Sequence, residues 1–210
     1  MLVMWRKAGY TFAMPAIGIT GGIATGKSAF CECLRELSRG SFFDADRAAH
    51  ELSHRDAEVR ELIVEQFGPE AYFQTGDLNR DRIRSIIFAD AEKKRALEQI
   101  LHPRIRRQWS LEAQSRRNSK ELFFADIPLL YETGGDTLCD RVVVVGCSAD
   151  LQVERLMKRM DVSESDARRM IAAQMPLAEK IGRADHVVWN NGPRSELAAQ
   201  ATLLLSAWER

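Results

Sequence analysis

The residues with the clearest chemical potential are Gly21-Gly22-Ile23-Ala24-Thr25-Gly26-Lys27-Ser28, two glycines with four residues between them, then lysine and a hydroxyl. A backbone free to turn at Gly21 and Gly26 can aim successive N–H groups at phosphate oxygens, and a helix starting near Lys27 adds the positive end of its dipole. Lys27 has the reach for β and γ phosphates, and the Ser28 hydroxyl is a suitable Mg²⁺ ligand. The same pattern can arise in an ordinary glycine-rich turn. Here it follows an apolar run, Ala16 to Thr20, and precedes a helical period, the context that phosphate binding requires. Asp44-Ala45-Asp46 closes the next apolar run. Two carboxylates so spaced can position Mg²⁺ and accept a hydroxyl proton, or serve as a helix N-cap plus a loop acid. Arg155, Arg159, Arg168 and Arg169 suit the neutralisation of a phosphoryl group in transfer, and equally a solvated helix face. The chain has no Asn/Thr-Lys-x-Asp motif for reading guanine, which argues against a GTPase switch.

The elements that must position these groups alternate short apolar runs with helical periods, the pattern of a parallel α/β sheet. Phe30, Cys33, Leu34 and Leu37 fall on one helical face after the loop, and Ser41 to Phe43 forms a second strand. A carboxylate at the exit of that strand is expected beside the strand that feeds the phosphate loop. Residues 47–118 have few strand signals. Glu51 to Phe67 reads as one helix broken at Gly68-Pro69, and Gly76-Asp77 marks a turn before Ile83, Ile86 and Ile87. A further face of Leu97, Ile100, Leu101, Ile105 and Trp109 contains Pro103, which is expected to kink or interrupt it. This block reads as a helical insertion over the carboxyl edge of the sheet. Strands resume at Glu121 to Ile127 and at Arg141 to Cys147, whose four valines indicate burial on both faces. Val153, Leu156, Met157 and Met160 stripe the next helix. Asp161 to Lys180, charged and weakly apolar, reads as a mobile flap. Val187 to Trp189 is a last strand, and Leu197, Ala201, Leu204, Leu205 and Trp208 define a closing amphipathic helix.

Composition limits the alternatives. The 210 residues hold 30 Lys plus Arg and 30 Asp plus Glu, so no net charge favours nucleic acid or an anionic membrane. The basic stretch Arg104, Arg106, Arg107, Arg116, Arg117 and Lys120 fits a solvated helix face or contacts to acceptor phosphates better than a nucleic-acid surface. Cys31, Cys33, Cys139 and Cys147 lack zinc-site spacing and are expected to be buried, reduced thiols. No apolar run is long enough to span a bilayer, and no signal-peptide core is evident, so a cytoplasmic protein is expected. Met1 to Ala13 is expected to be dispensable, with the fold beginning after Met14.

Taken in order, Thr20-Gly21-Gly22-Ile23, Asp44-Ala45-Asp46, Leu101-His102-Pro103, Pro128-Leu129-Leu130 with Glu132, Gln174, Ala184-Asp185 and Asn190-Asn191 resemble dephospho-CoA kinase, from about residue 16 to residue 192. The resemblance implies a P-loop NTPase fold of the nucleoside-monophosphate-kinase type. Its core would be 16–46 and 119–210, behind an extension at 1–15, with a lid at about 150–180 and a helical CoA-substrate-binding insertion at 47–118. It implies ATP and Mg²⁺ as cofactors, dephospho-CoA as acceptor and transfer to the ribose 3′-hydroxyl, in a monomer or weak homo-oligomer. Lys27, Asp46 as base, Asp44 in support and Arg155 are then catalytic. Gly22, Ile23, Ala24, Thr25, Gly26, Lys27, Ser28, Ala29, Arg155 and Arg159 hold the nucleotide, and Ser28 and Asp126 serve the metal. Ala24 and Ala29 depart from the family's usual Gly and Thr. His102 marks the acceptor domain, without an assigned role. Another metabolite or nucleotide kinase of this fold, or a non-catalytic ATP-binding regulator, are the competing readings.

Overall fold

The computed structural model describes residues 16–116 and 121–208, so the expected extension at 1–15, together with Arg117 and Lys120, lies outside the described residues. The described residues fall into two compact units, one running up to Phe43 and again from Glu112 onward, the other spanning Asp44–Leu111.

The first unit is built on a five-stranded parallel sheet. Its strands are β1 (Ala16–Gly21), β2 (Ser41–Asp44), β3 (Phe123–Asp126), β4 (Arg141–Gly146) and β5 (His186–Trp189), in the spatial order β2-β3-β1-β4-β5. Burial explains the order. All four residues of β3 are buried and so are four consecutive valines of β4, whereas β2 buries only Phe43 fully and takes an edge. The expectation that the second strand lies beside the loop-bearing strand is therefore corrected: β3 separates β2 from β1.

One face of this sheet, Ile17, Ile19, Phe124, Val143, Val145 and Val188, packs with two helices, α1 (Lys27–Leu37) and the last helix, Arg194–Trp208. Phe30, Cys33 and Leu34 of α1 are buried as their spacing predicts, but Leu37, the fourth member of that stripe, is 47% exposed in the final turn. All five apolar positions expected of the last helix are buried. Arg194 at its start pairs with Glu32 and Glu36, at 3.2 and 2.6 Å, and ties it to α1. Cys31, Cys33 and Cys147 are buried thiols, and Cys139 is half-buried.

The second unit is helical: α2 (Ala45–Arg55), α3 (Ala57–Phe67), α4 (Arg80–Ala89) and most of α5 (Ala91–Arg116). The single helix expected from Glu51 to Phe67 is two. Asp56 breaks the chain and accepts the Val59 N–H at 3.0 Å as the N-cap of α3. Leu52, Val59, Ile63, Phe67, Ala71, Ile83 and Ile100 form its core. Pro103 does not interrupt α5, which runs 26 residues through it; the ring forfeits one backbone bond while the helix continues. Three helices remain, α6 (Ala149–Met160), α7 (Glu164–Ala172) and α8 (Leu177–Arg183), and the C-terminal helix is α9.

Candidate active site

β1 delivers the chain to the phosphate loop. Gly26 has φ +92°, the left-handed region, and a Cβ there would overlap the Asn190 amide. Gly21 is different: its φ is not left-handed, and glycine is required because a Cβ would lie 2.5 Å from the Val145 carbonyl oxygen. Gly26 N-caps α1 and has no side chain to close it, so the first-turn N–H groups of Lys27, Ser28 and Ala29 face outward from the helix end without intrahelical partners. An uncapped helix terminus of this kind is a ready anion site. Ser28 is exposed in that turn. Ala24 holds φ +59°, a left-handed conformation that an L residue adopts at a cost.

Lys27 forms an ion pair with Asp126, at the end of β3 and in register with Ile19 of β1. The carboxylate beside the loop strand is thus Asp126, 6% exposed. Asp44 ends β2 and N-caps α2, accepting the Arg47 N–H at 2.9 Å, so the capping role is realised there. Asp46 is exposed in the first turn of α2. Both acids open the second unit.

Arg155 lies on α6 with Nη1 buried and without a hydrogen-bond partner, 3.8 Å from where a Cβ on Gly26 would be. A desolvated guanidinium nitrogen beside a phosphate loop suits an anion. Burial raises the pKa of the neighbouring Cys147 thiol, with Arg155 pulling the other way. Arg159, one turn further, is exposed. Arg168 pairs with Glu164 at 2.7 Å and Arg169 with Asp166, all within α7, as on a solvated helix face. In the second unit, burial pushes the half-buried His102 imidazole below its ordinary range, with Glu98 opposing.

Gln174, from the turn between α7 and α8, accepts the Ile23 N–H at 3.1 Å. Asn190 donates to the Thr25 carbonyl at 3.0 Å, Asn191 accepts from Ser148 N–H, and Asp185 accepts from Val142 N–H. Two residues here were not singled out from sequence. Gln152 of α6 donates to the Ile23 carbonyl at 2.8 Å. Lys180 of α8 is fully buried, pairs with Glu132 at 2.8 Å and donates to the carbonyls of Gly21 and Pro128 at 3.3 and 3.0 Å. The expected flap from Asp161 to Lys180 therefore ends on an anchor in the interior. A lysine in a charged segment carries no sequence signal of burial. Glutamine on a helix carries none either, because what fixes both is a backbone group far away in the chain.

The family model for dephospho-CoA kinase matches residues 15–196. The chain belongs to the dephospho-CoA kinase family. A dephospho-CoA kinase of Bacillus cereus is 40% identical over 193 residues, 91% of this chain and 96% of the relative. One from Symbiobacterium thermophilum is 41% identical, over 93% of this chain and 80% of its own. Among solved structures, the dephospho-CoA kinase of Campylobacter jejuni superposes with a TM-score of 0.70 at 27% identity, covering 91% of this chain and 95% of that one. Shikimate kinase from Bacteroides thetaiotaomicron, TM-score 0.52 at 15% identity over 93% and 98%, shares the fold alone. Among the described residues, no helix is long and apolar enough to cross a membrane, and no three His, Cys, Asp or Glu side chains cluster as a metal site.

Proposed function

We propose that this chain transfers the γ-phosphoryl group of ATP to the ribose 3′-hydroxyl of dephospho-CoA, releasing ADP and coenzyme A. What carries the reading is the family match over nearly the whole chain, with the lysine and hydroxyl of the phosphate loop intact within it. In this reading the unit Asp44–Leu111 receives the acceptor, and α6 to α8 form the lid.

Lys27 exchanges Asp126 for the β and γ phosphates, while the first turn of α1 holds phosphate oxygens through backbone N–H groups. Arg155, with a buried nitrogen lacking a partner, meets the charge that builds on the transferring group. Asp46 takes the proton from the ribose hydroxyl as the new P–O bond forms and the bond from phosphorus to the β–γ bridging oxygen breaks. Asp44 orients the start of α2 beneath it. The exposed Ser28 hydroxyl and the Asp126 carboxylate are hard oxygen donors that suit Mg²⁺. Such an ion, when bound, supplies charge neutralisation across the phosphates.

ADP release measured with dephospho-CoA, AMP, CMP and shikimate offered separately tests the proposal. Turnover with dephospho-CoA alone is expected. Turnover with another acceptor instead reassigns the substrate, and ATP binding without turnover on any favours a non-catalytic ATP-binding protein.

A further inference from the structure

The phosphate loop is held from behind by four side chains that come from the other half of the sequence. Lys180 donates to the Gly21 carbonyl, Gln152 to the Ile23 carbonyl and Asn190 to the Thr25 carbonyl, while Gln174 accepts the Ile23 N–H. The three donors belong to buried residues, Lys180 at 0%, Gln152 at 4% and Asn190 at 9% exposure. A trans peptide points its C=O and its N–H in opposite directions. Each carbonyl drawn toward the interior therefore turns the N–H of the same peptide, that of Gly22, Ala24 or Gly26, away from the interior. The intervening Gly22 carbonyl is folded into the loop itself, accepting the Thr25 N–H at 3.3 Å and the Thr25 hydroxyl at 2.9 Å. Alternate peptides thus face opposite ways. The N–H groups of Gly22, Ala24 and Gly26 are thereby left to face an anion, which a carbonyl turned outward in their place would repel.

Ile23 carries two of these bonds, and its side chain packs with Ala24 against Val153, Leu156 and Ala167 of α6 and α7. Two glutamines from either end of that helix pair grip the peptides on both sides of Ile23. Both bonds are backbone contacts, and neither residue carries a charge that would attract phosphate.

We propose that Gln152 and Gln174 are positioning residues that preset the polarity of the phosphate loop, and so determine its affinity for the phosphates of a nucleotide while leaving affinity for the nucleoside untouched. The proposal rests on the nucleotide-binding reading above. Its test is chosen so that the two can fail separately.

Gln152→Met and Gln174→Met keep side-chain length and delete the hydrogen bond. Calorimetric binding of ADP and of adenosine is measured for each, with the melting temperature and circular dichroism recorded in parallel. Loss of one bond each is expected to weaken ADP binding by roughly three- to ten-fold, and loss of both by more. Adenosine binding is expected to stay within about two-fold, because the nucleoside makes no demand on peptide orientation. Folded variants that bind ADP as the wild type does, or that lose adenosine and ADP affinity in equal proportion, overturn the positioning role and reduce the glutamines to ordinary core hydrogen bonds. A wild-type chain that binds no ADP overturns the nucleotide reading itself.

Discussion

Ala24 holds its left-handed φ of +59° in a position where a residue without a Cβ meets no penalty. Ala24→Gly is expected to stabilise the chain by about 1 kcal/mol, part of the relieved strain being offset by the greater freedom of glycine in the unfolded state. Denaturant unfolding measures this, and an unchanged or lower midpoint would place no strain at Ala24. Lys27 has a second consequence. Read from sequence, it packs little apolar surface, and its removal should spare the fold. Its pairing with the largely buried Asp126 changes that, because Lys27→Ala strands a carboxylate. Turnover is expected to vanish and stability to fall by about 3 kcal/mol, with part recovered in the double variant Lys27→Ala/Asp126→Ala. If the double variant is no more stable than the single, the stranded Asp126 carboxylate is not the source of the loss. Asp46→Asn is expected to lower kcat by ~10²–10⁴-fold with little change in ATP affinity or melting temperature. Asp44→Asn keeps an N-cap side chain for α2, whereas Asp44→Ala should cost about 1 kcal/mol. Should Asp44→Asn lose kcat while Asp46→Asn keeps it, the roles are reversed.

Between elements, α9 meets β5 through His186 and Trp208, whose indole Nε1 donates to His186 Nε2 at 3.3 Å. Only an unprotonated Nε2 can accept. Burial, reinforced by Arg141 and opposed by Asp185, lowers the His186 pKa from its ordinary 6.5, and burial lowers that of His102 likewise. The unfolded chain then takes up protons first as pH falls. The stability these imidazoles contribute is whole above pH 6.5 and drains away as pH drops from there toward their folded values. Unfolding free energies between about pH 7.5 and about pH 5.5 should show this slope, and His186→Phe should flatten part of it. An unaltered slope in that variant would exclude His186 as its source. The α9 stripe was legible in sequence because one-sided burial leaves a period, and β4 because burial on both faces leaves a run of valines. Asp56 was not, since the helical period continues across it. Nor was the neighbourhood of Ile23, whose N–H partner lies 151 positions away: a local pattern reports which face is covered, not which distant polar group closes a hydrogen bond. The phosphate loop could be read because its chemistry is local. Its bracing could not, because that is tertiary.

At the scale of the whole molecule, the chain leaves the sheet after β2, builds the helices of Asp44–Leu111, and returns to complete the sheet with β3. Ala16 pairs with Phe123 and Ile17 with Arg141, so every strand neighbour of β1 is made only after the helical unit is finished. Closing such long loops is slow compared with local helix packing. In pulse-labelled hydrogen exchange during refolding, amides of α3 and α4 should gain protection before those of β1; simultaneous protection would mean that the two units fold as one. The order matters most during synthesis. As the polypeptide emerges from a ribosome, α1 exposes Phe30, Cys33 and Leu34 with neither β3, β4 nor α9 yet in existence to cover them. The nascent chain therefore carries these apolar side chains without their native cover until β3, β4 and α9 have been made, and the loop that is translated first is among the last parts to take shape.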